Sequence, residues 1–318
     1  MAILITGSSG FVGQRLVAIA CEKGIECKGV VRTSTNSAMK HESRYVTCSV
    51  GDISGITDWT VALQGVDTIV HCAAKVHQMN EQNQFEKYKE VNALGTLNLA
   101  SQAAQKGVKR FVFLSTIKVN GEYSKPMKPF SNTIGNVPTE PYALSKYEAE
   151  IGLHKIAEET GLEVVIIRPP LVYGEGVKAN FLSLMNLAHK GLPLPLGAIN
   201  NKRSIVFRDN LIDLILLCCH SEKAKGQTFL VSDGEDISTT QLIRLIAEAM
   251  HKNALLFPVP NRLIELLTKA IGKPEIYQRV YGDLQLSISH TREVLEWEPP
   301  ISMEEGIRRT VNAFLPSK

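Results

Sequence analysis

Short apolar runs that alternate with helix-length amphipathic segments constrain the fold of the first half of this chain. Strands are predicted at residues 3–6, 26–31, 45–48, 68–71, 111–114 and 164–168. Amphipathic helices are predicted between them, at residues 12–22, 86–105 and 143–160. Strands that alternate with helices form a parallel sheet covered on both faces. We therefore expect an α/β fold, a doubly wound parallel sheet whose ligands bind beyond the carboxyl ends of its strands.

The regular alternation ends after Arg168, where two consecutive prolines interrupt it. Residues 176–205 are rich in Gly, Pro and Asn, whereas 206–219 and 228–231 favour a return to the sheet. The pattern from about residue 236 onward is helical. We therefore expect a larger domain from residues 1–175 and about 206–234. A smaller C-terminal domain, from 176–205 and 235–318, is expected to cover the carboxyl edge of the sheet.

Charge and cysteine usage exclude several classes of protein. The 35 basic and 32 acidic side chains are interspersed, which argues against a nucleic-acid-binding arm or a polybasic membrane anchor. The six cysteines form no C-x-x-C pair, as expected for reduced thiols. No signal peptide is apparent, and the apolar stretch 211–219 is about half the ~20 residues of a membrane helix. We expect a cytoplasmic protein without a metal site, a nucleic-acid partner or membrane insertion.

A glycine-rich loop follows the first predicted strand and opens the first predicted helix. Gly7 permits a tight turn, Gly10 lets the backbone approach a pyrophosphate, and Gly13 lets the helix pack closely on the strand. The helix offers N–H groups and its positive dipole end to phosphates. A glycine-rich turn without a ligand is the alternative, but the strand–loop–helix context favours a dinucleotide site.

The run Thr6-Gly7-Ser8-Ser9-Gly10-Phe11-Val12-Gly13 resembles the glycine motif of the extended short-chain dehydrogenases/reductases, the family of nucleotide-sugar epimerases and dehydratases. The resemblance extends over essentially the whole chain. It implies a Rossmann-like, NAD(P)-binding larger domain and a nucleotide-sugar-binding smaller one. The positions that match cofactor contacts of the family are Gly7, Ser9, Gly10, Phe11, Val12, Gly13, Asp52, Ile53, Ala73, Ala74, Asn92, Ser115, Tyr142 and Lys146.

The choice between NAD and NADP depends on the end of the second strand. NAD enzymes usually carry an acid there, which binds the ribose 2′-hydroxyl. This chain has Val31 followed by Arg32, and an arginine can bind a 2′-phosphate through two hydrogen bonds. Arg32 therefore favours NADP, with a solvated surface arginine and NAD as the alternative.

Tyr142 and Lys146 are the candidate proton-transfer pair. Four residues apart on a predicted helix, they lie on one face, one turn from each other. The ordinary pKa of a phenol is about 10, and a nearby ammonium group lowers it by roughly one to three units. Lys146 is also expected to hold the nicotinamide ribose. A tyrosine packed against a lysine stem is the structural alternative.

Two hydroxyl residues, Ser115 and Thr116, end the fifth strand. The related epimerases carry serine or threonine there, followed by x-x-Val-x-Gly, and Val119 and Gly121 align Thr116 with the catalytic hydroxyl. The resemblance therefore implies that Thr116 and Tyr142 bind the reacting sugar oxygen. The nicotinamide then exchanges hydride with the attached carbon, and Tyr142 gives or takes the proton.

Later residues resemble the UDP-sugar contacts of the same family. Asn180 and Phe181 match a uridine-diphosphate-contacting position, and Arg203 and Arg279 match arginines that bind the diphosphate. Together with Thr116 they are the predicted substrate-binding residues. A solvated surface cation is the alternative for Arg203. Relatives commonly dimerise through the helix that carries the Tyr-x-x-x-Lys motif, so a homodimer is expected.

The reaction type is narrowed by the residues after Thr116. Dehydratases of the family carry Thr-Asp-Glu on this strand, whereas this chain has Thr116-Ile117-Lys118, so 4,6-dehydration is not expected. The remaining readings are reduction of a UDP-4-keto-sugar at C4, for surface polysaccharide precursors, and 4-epimerisation of a UDP-sugar. Arg32 fits exchange of NADPH and favours the C4-reductase, with the 4-epimerase as the alternative. A non-catalytic dinucleotide sensor is a third reading, but such proteins typically lose the tyrosine or the lysine.

Overall fold

The computed structural model describes residues 1–33, 44–76, 84–270, 272 and 274–315. Within these ranges the strands fall into two sheets. The strands are β1 (Ala2–Thr6), β2 (Glu26–Val31), β3 (Tyr45–Ser49), β4 (Thr68–His71), β5 (Arg110–Leu114), β6 (Glu163–Arg168), β7 (Leu171–Tyr173), β8 (Arg203–Phe207), β9 (Thr228–Leu230) and β10 (Asp236–Ile237). The larger sheet is parallel throughout, in the order β3-β2-β1-β4-β5-β6-β9. The predicted strands of the first half are confirmed.

The helices of the described ranges cover both faces of the larger sheet and build most of the C-terminal region. They are α1 (Phe11–Glu22), α2 (Gln84–Tyr88), α3 (Gly95–Gln105), α4 (Pro141–Thr160), α5 (Ala179–Lys190), α6 (Arg208–His220), α7 (Thr239–Ala249), α8 (Asn261–Ala270), α9 (Pro274–Tyr281), α10 (Ser289–Leu295) and α11 (Met303–Phe314). A π-helical turn, Lys89–Leu94, joins α2 to α3, and a 3₁₀ turn, Ile117–Val119, follows β5.

The alternation of side chains along β1 produces two apolar layers. Ile3 and Ile5 point to one face, where they pack with α1 and α6, and Leu4 points to the other, where α3 and α4 pack. Both layers consist of buried aliphatic and aromatic side chains, as a parallel sheet between helices requires. The expected doubly wound, Rossmann-like fold is confirmed.

The second half departs from the expectation in one segment. Residues 206–219, which favoured the sheet, mostly form α6, and only β9 joins the larger sheet as its edge strand. The run is leucine-rich, and its apolar side chains are buried along nearly the whole helix, so its continuous hydrophobicity did not distinguish strand from helix. Strands β10, β8 and β7 form a second sheet, and a separate apolar cluster joins it to α5, α7 and α11.

None of the helices in the described ranges has the length and apolar character needed to cross a membrane. The carboxyl ends of β1, β4, β5 and β6 lie side by side in the parallel sheet. The glycine loop, the segment after His71 and the hydroxyl pair after Leu114 therefore converge at one edge of the sheet.

Candidate active site

The glycine loop has a backbone that only glycine fits at two positions. Gly7 has φ +66°, and a Cβ on it would lie 2.9 Å from the backbone N of Ala73. A Cβ on Gly13 would lie 2.1 Å from the carbonyl O of Gly7. Gly10 is the N-cap of α1 and has no side chain to cap the helix. The N–H groups in the first turn of α1 are therefore available to an anion. This cradle fits a dinucleotide pyrophosphate.

A buried histidine fastens the glycine loop to the neighbouring strand. The Nδ1 of His71 lies 2.8 Å from the Thr6 hydroxyl, and its Nε2 lies 3.0 Å from the Thr96 hydroxyl. Because Thr96 donates to the Asn92 carbonyl at 2.7 Å, it accepts from His71 Nε2–H, and Thr6 donates to Nδ1. Burial, assisted by the Lys146 charge, lowers the pKa of His71 to about 3. His71 is therefore neutral and holds the loop in place.

Asn92 connects the segment after β4 to the helix that carries Tyr142. Its Oδ1 accepts from the backbone N of Lys75 at 2.8 Å, and its Nδ2 donates to the Lys75 carbonyl at 3.0 Å. The same Nδ2 donates to the Ser145 hydroxyl at 3.1 Å. Asn92 is fully buried, and its bond to Ser145 is made away from water, whereas the backbone of Lys75 is half-buried. Ala73 and Ala74, just before Lys75, are thereby fixed relative to α4.

Glu140 caps the helix that carries Tyr142. Its two carboxylate oxygens accept from the backbone N–H groups of Tyr142 at 3.1 Å and Ala143 at 3.0 Å. Pro141 occupies the first turn, where a missing N–H does no harm. Lys118, in the 3₁₀ turn after Thr116, places its Nζ 3.6 Å from the Glu140 carboxylate. This ion pair ties the turn that starts at Thr116 to the start of α4.

The expected lowering of the Tyr142 pKa by Lys146 is not found in the structure. Burial raises the pKa of Tyr142, and the charges of Glu140 and Tyr88 raise it further. Tyr88 packs edge-on to the Tyr142 ring, with 6.0 Å between ring centroids. The prediction was wrong because helical spacing gave the separation of Tyr142 and Lys146 along α4 but not the burial and the carboxylate beside the phenol.

Lys146 is almost completely buried, with 1% of its surface exposed. Its Nζ donates to the Leu114 carbonyl at 2.8 Å and lies 4.4 Å from the centre of the Phe113 ring. Burial lowers the pKa of Lys146 to about 8, against the opposing influence of Cys72 and Glu150. The ammonium group is therefore held against the end of β5, two residues before Thr116.

Thr116 and Ser115 have different surroundings. The Thr116 hydroxyl accepts from the backbone N of Lys118 at 3.3 Å, and its side chain is half-buried. The Ser115 side chain is buried and donates to Glu150 at 2.5 Å. Thr116 thus remains accessible at the sheet edge, whereas the Ser115 side chain is engaged inside the protein.

The predicted adenosine contacts lie along the edge beside β2 and β3. Asp52 is exposed, and its carbonyl accepts from the Thr57 hydroxyl at 2.9 Å. Ile53 packs on Gly95, where a Cβ would lie 2.6 Å from the Ile53 Cγ2. Arg32 is exposed, and its carbonyl accepts from Ser49 at 2.9 Å. Of the remaining loop residues, Ser9 is exposed, and the side chains of Phe11 and Val12 are half-buried.

Two predicted diphosphate arginines come together in the C-terminal region. Arg203 donates through Nη1 to the carbonyls of Gly282 at 2.9 Å and Arg279 at 3.4 Å. The positive charges of Arg203 and Arg279 favour a lower pKa for the Tyr123 phenol. Burial has the larger effect and raises this pKa. Tyr123 is thus a third group beside Arg203 and Arg279, and the sequence analysis did not predict it.

The predicted uridine contacts divide between surface and core. Asn180 is exposed at the start of α5. Phe181 is fully buried, and its ring stacks on Tyr173 with 5.1 Å between centroids. The Phe181 side chain therefore belongs to the apolar cluster of the C-terminal region.

Comparison with known proteins identifies the family. Residues 3–232 match the model of the NAD dependent epimerase/dehydratase family. The chain belongs to this family. The expected resemblance is thereby confirmed, as is the expectation of an enzyme that uses a nicotinamide cofactor. The family is NAD-dependent, so the cofactor is one of the two that the sequence predicted.

A curated relative and two solved structures extend the match over nearly the whole chain. The chain is 46% identical to a UDP-glucose 4-epimerase of Vibrio cholerae, over 99% of its own length and 95% of the relative's. A UDP-glucuronic acid 4-epimerase of Bacillus cereus in complex with NAD has TM-score 0.79 at 21% identity, covering 98% of this chain and 96% of that one. A Thermotoga maritima UDP-glucose 4-epimerase with UDP-glucose has TM-score 0.77 at 24% identity, covering 99% and 98%. At these identities the solved structures support the fold.

Proposed function

We propose that this protein is an NAD-dependent 4-epimerase of a UDP-sugar. The observation that carries the proposal is the 46% identity, over nearly the full length of both chains, to a UDP-glucose 4-epimerase. The residues agree with it, because the chain has Tyr142, Lys146 and Thr116 but no acid after Thr116 to drive loss of water. This favours the 4-epimerase over the C4-reductase to which Arg32 pointed.

The reaction that we propose removes the C4 hydrogen of the sugar as hydride and returns it to the opposite face. NAD⁺, when bound, supplies a hydride acceptor and a positive charge. Tyr142 takes the proton of the 4-hydroxyl as the C4–H bond breaks, which leaves a ketone at C4. After the ketone turns over, Tyr142 gives the proton back to the oxygen as hydride returns to C4. Thr116 holds the same oxygen by a hydrogen bond throughout.

The raised pKa of Tyr142 fits the second half of this cycle directly, because a protonated phenol is the required acid. For the first half, a positive charge near the phenol is needed to favour the phenolate. NAD⁺, when bound, would supply that charge. The pKa of Tyr142 is therefore expected to fall when NAD⁺ binds.

The remaining contacts are proposals of the same kind. We assign the glycine loop and the segments at 52–53 and 73–74 to NAD, with Asn92 holding residues 73–74 in place. We assign Asn180, Arg203 and Arg279 to the UDP moiety. The larger domain, 1–175 with about 206–234, would then bind the cofactor, and 176–205 with 235–318 would bind the nucleotide sugar. The charges of Arg203 and Arg279 both act on Tyr123, which supports a diphosphate site in the nucleotide-sugar-binding part.

The test is conversion of UDP-glucose and UDP-N-acetylglucosamine without added cofactor, followed by NMR. An epimerase that retains NAD forms the 4-epimer under these conditions, and denaturing the purified protein releases NAD in near-stoichiometric amount. A protein that is purified empty and turns over only a UDP-4-keto-sugar, with NADPH consumed, would instead be the C4-reductase. The Tyr142→Phe variant is the control for contaminating epimerase.

We further propose that the protein acts in the cytoplasm as a homodimer. α4 packs against the π-helical turn, and each exposes an apolar side chain: Ile151 on α4 is 52% exposed and Leu94 in the turn is 41% exposed. Apolar side chains on neighbouring helices suit a helical-bundle interface. Ile151→Glu should produce monomers in sedimentation experiments, whereas Leu192→Glu, at a 53% exposed site beyond α5, should leave the dimer intact. A monomeric wild-type protein would contradict the proposal.

A further inference from the structure

A buried ion pair joins α4, which carries Tyr142 and Lys146, to the carboxyl end of β6. Glu150, one turn after Lys146 on α4, accepts from Arg168 Nε at 3.0 Å and from Nη2 at 2.6 Å. The side chains of Glu150 and Arg168 are 3% and 4% exposed. Arg168 is the last residue of β6, at the same sheet edge as Thr116.

The pair is connected to the strand end that carries Thr116. Glu150 Oε1 also accepts the Ser115 hydroxyl hydrogen at 2.5 Å. The preceding residue, Leu114, accepts from Lys146 Nζ at 2.8 Å. Two charged side chains, one helical turn apart on α4, therefore hold two consecutive residues of the strand end immediately before Thr116.

Arg168 also binds the loop that follows Thr116, through the guanidinium nitrogen Nη1. Its Nη1 donates to Asn120 Oδ1 at 3.1 Å and to the Asn132 carbonyl at 2.9 Å. Asn120 in turn donates to the carbonyls of Ser131 at 2.8 Å and Thr133 at 2.9 Å. One guanidinium group thus fixes both ends of the segment 120–133.

That segment contacts the region proposed to bind the diphosphate. Phe130 donates its backbone N–H to the Gln285 carbonyl at 2.8 Å, and Ser124 donates to Asp283 at 2.9 Å. Leu284, between them, forms a parallel bridge with Arg203. Arg168 is therefore linked to the backbone of the proposed diphosphate arginine through the segment 120–133 and residues 283–285.

We propose that Glu150 and Arg168 are positioning residues, which set the place of the Thr116 hydroxyl against Tyr142 and hold it in register with the diphosphate-binding region. The inference rests on the proposed function for its catalytic meaning. Neither side chain is assigned to substrate or cofactor. They act through Ser115 and through the segment 120–133.

A second buried ion pair, which joins β5 to β6, provides a comparison. Arg110 donates to Glu163 through Nε at 3.0 Å and Nη2 at 2.6 Å, and these side chains are 3% and 8% exposed. Like Arg168, Arg110 also donates to backbone carbonyls. It begins β5, however, whereas Arg168 ends β6, so the two pairs lie at opposite ends of the strands, about 16 Å apart along the strand direction.

Comparing variants of the two ion pairs distinguishes an effect on the position of Thr116 from an effect on the stability of the fold. Replacing the carboxylate of either pair by an amide removes a buried ion pair, which destabilises both variants, although Arg110 keeps Glu222 Oε1 at 3.7 Å from its Nη2. A shift of about 1 Å at a catalytic group costs up to about a hundredfold in rate. Glu150→Gln should therefore lower kcat about tenfold to a hundredfold with KM for the UDP-sugar changed far less. Glu163→Gln should lower the unfolding midpoint comparably and leave kcat within about twofold.

Ser115→Ala is the milder variant, since it cuts the connection to the strand end and leaves the ion pair intact. It should lower kcat about threefold to tenfold, with a normal unfolding midpoint and normal NAD content. If Glu150→Gln loses no more kcat than Glu163→Gln, or if Ser115→Ala is fully active, the inference is overturned.

Hydrogen exchange gives a readout that does not depend on turnover. Peptides covering 114–121 should exchange faster than in wild type in both Glu150→Gln and Ser115→Ala, and peptides covering 130–134 should exchange faster in Glu150→Gln. Exchange in both regions should be unchanged in Glu163→Gln. Unaltered exchange in those peptides would refute the positioning role. A wild-type protein that converts no UDP-sugar would refute the proposed function, and exchange would still decide whether the pair orders the strand end.

Discussion

Replacing Lys146 by methionine tests how unfavourable it is to keep an ammonium group inside the protein beside the proposed catalytic tyrosine. Burial lowers the pKa of Lys146 from 10.5 to about 8. The unfolded chain therefore binds this proton more strongly than the folded one between those values. Below about pH 8 the buried ammonium group lowers the unfolding free energy by its full amount. This loss of stability shrinks as pH rises towards 10.5. At about 1.4 kcal/mol per pKa unit, the penalty is about 3 kcal/mol.

Methionine fills similar space and does not titrate, so the difference in unfolding free energy between the variant and wild type must change with pH. Between pH 7 and pH 10, the unfolding free energy of wild type is expected to rise by about 2.5 kcal/mol relative to that of the variant. Cys72 and His71, which face the ammonium group, titrate alike in both proteins over this window and cancel. Urea titrations of both proteins, freed of nucleotide, measure the effect. A difference that stays constant within about 0.5 kcal/mol would refute the reasoning.

Three further changes probe the site. Tyr142→Phe should lower kcat at least about a hundredfold and leave NAD content normal, because only the transferable proton is lost; a coupled epimerase assay measures this. Gly13→Ala should abolish NAD binding, because the new Cβ would lie 2.1 Å from the Gly7 carbonyl oxygen; nucleotide content of the purified protein is the readout. Asn92→Ala should lower the unfolding free energy by about 2–3 kcal/mol, because it removes two hydrogen bonds to the half-buried backbone of Lys75 and a buried one to Ser145; urea denaturation tests it.

Each of these changes has a control or an excluding result. Gly55→Ala, where a Cβ would meet its nearest neighbour at 3.4 Å, should keep full NAD content. Near-normal turnover in Tyr142→Phe would remove the phenol from the mechanism. An Asn92→Ala protein as stable as wild type would show that water replaces the lost hydrogen bonds.

The fold could be predicted from the sequence because local patterns determine it. Strand, glycine loop and helix follow one another within residues 2–22, and their periodicity gives the parallel sheet with little ambiguity. The segment 206–219 escaped this reasoning, because a fully buried helix and a buried strand both read as continuous apolar runs.

The site was predictable only where a motif fixes the residue types. The spacing of Tyr142 and Lys146 placed them on one helical face, but the pKa of Tyr142 depends on burial and on Glu140, which no spacing reveals. Glu140 had a local signal, an acid directly before a proline at a helix start. Glu150 and Arg168 had none, because 18 residues and a helix-to-strand connection separate partners that meet only in the folded chain.

Following the C4 hydrogen of the sugar tests the proposed function most directly. UDP-glucose or UDP-N-acetylglucosamine with deuterium at C4 is incubated with the protein without added cofactor, and the product is examined by NMR and mass spectrometry. Because an epimerase returns the same hydride to the same carbon, the 4-epimer should form with deuterium retained at C4. Absence of the epimer, or an epimer that carries protium at C4, would contradict the account.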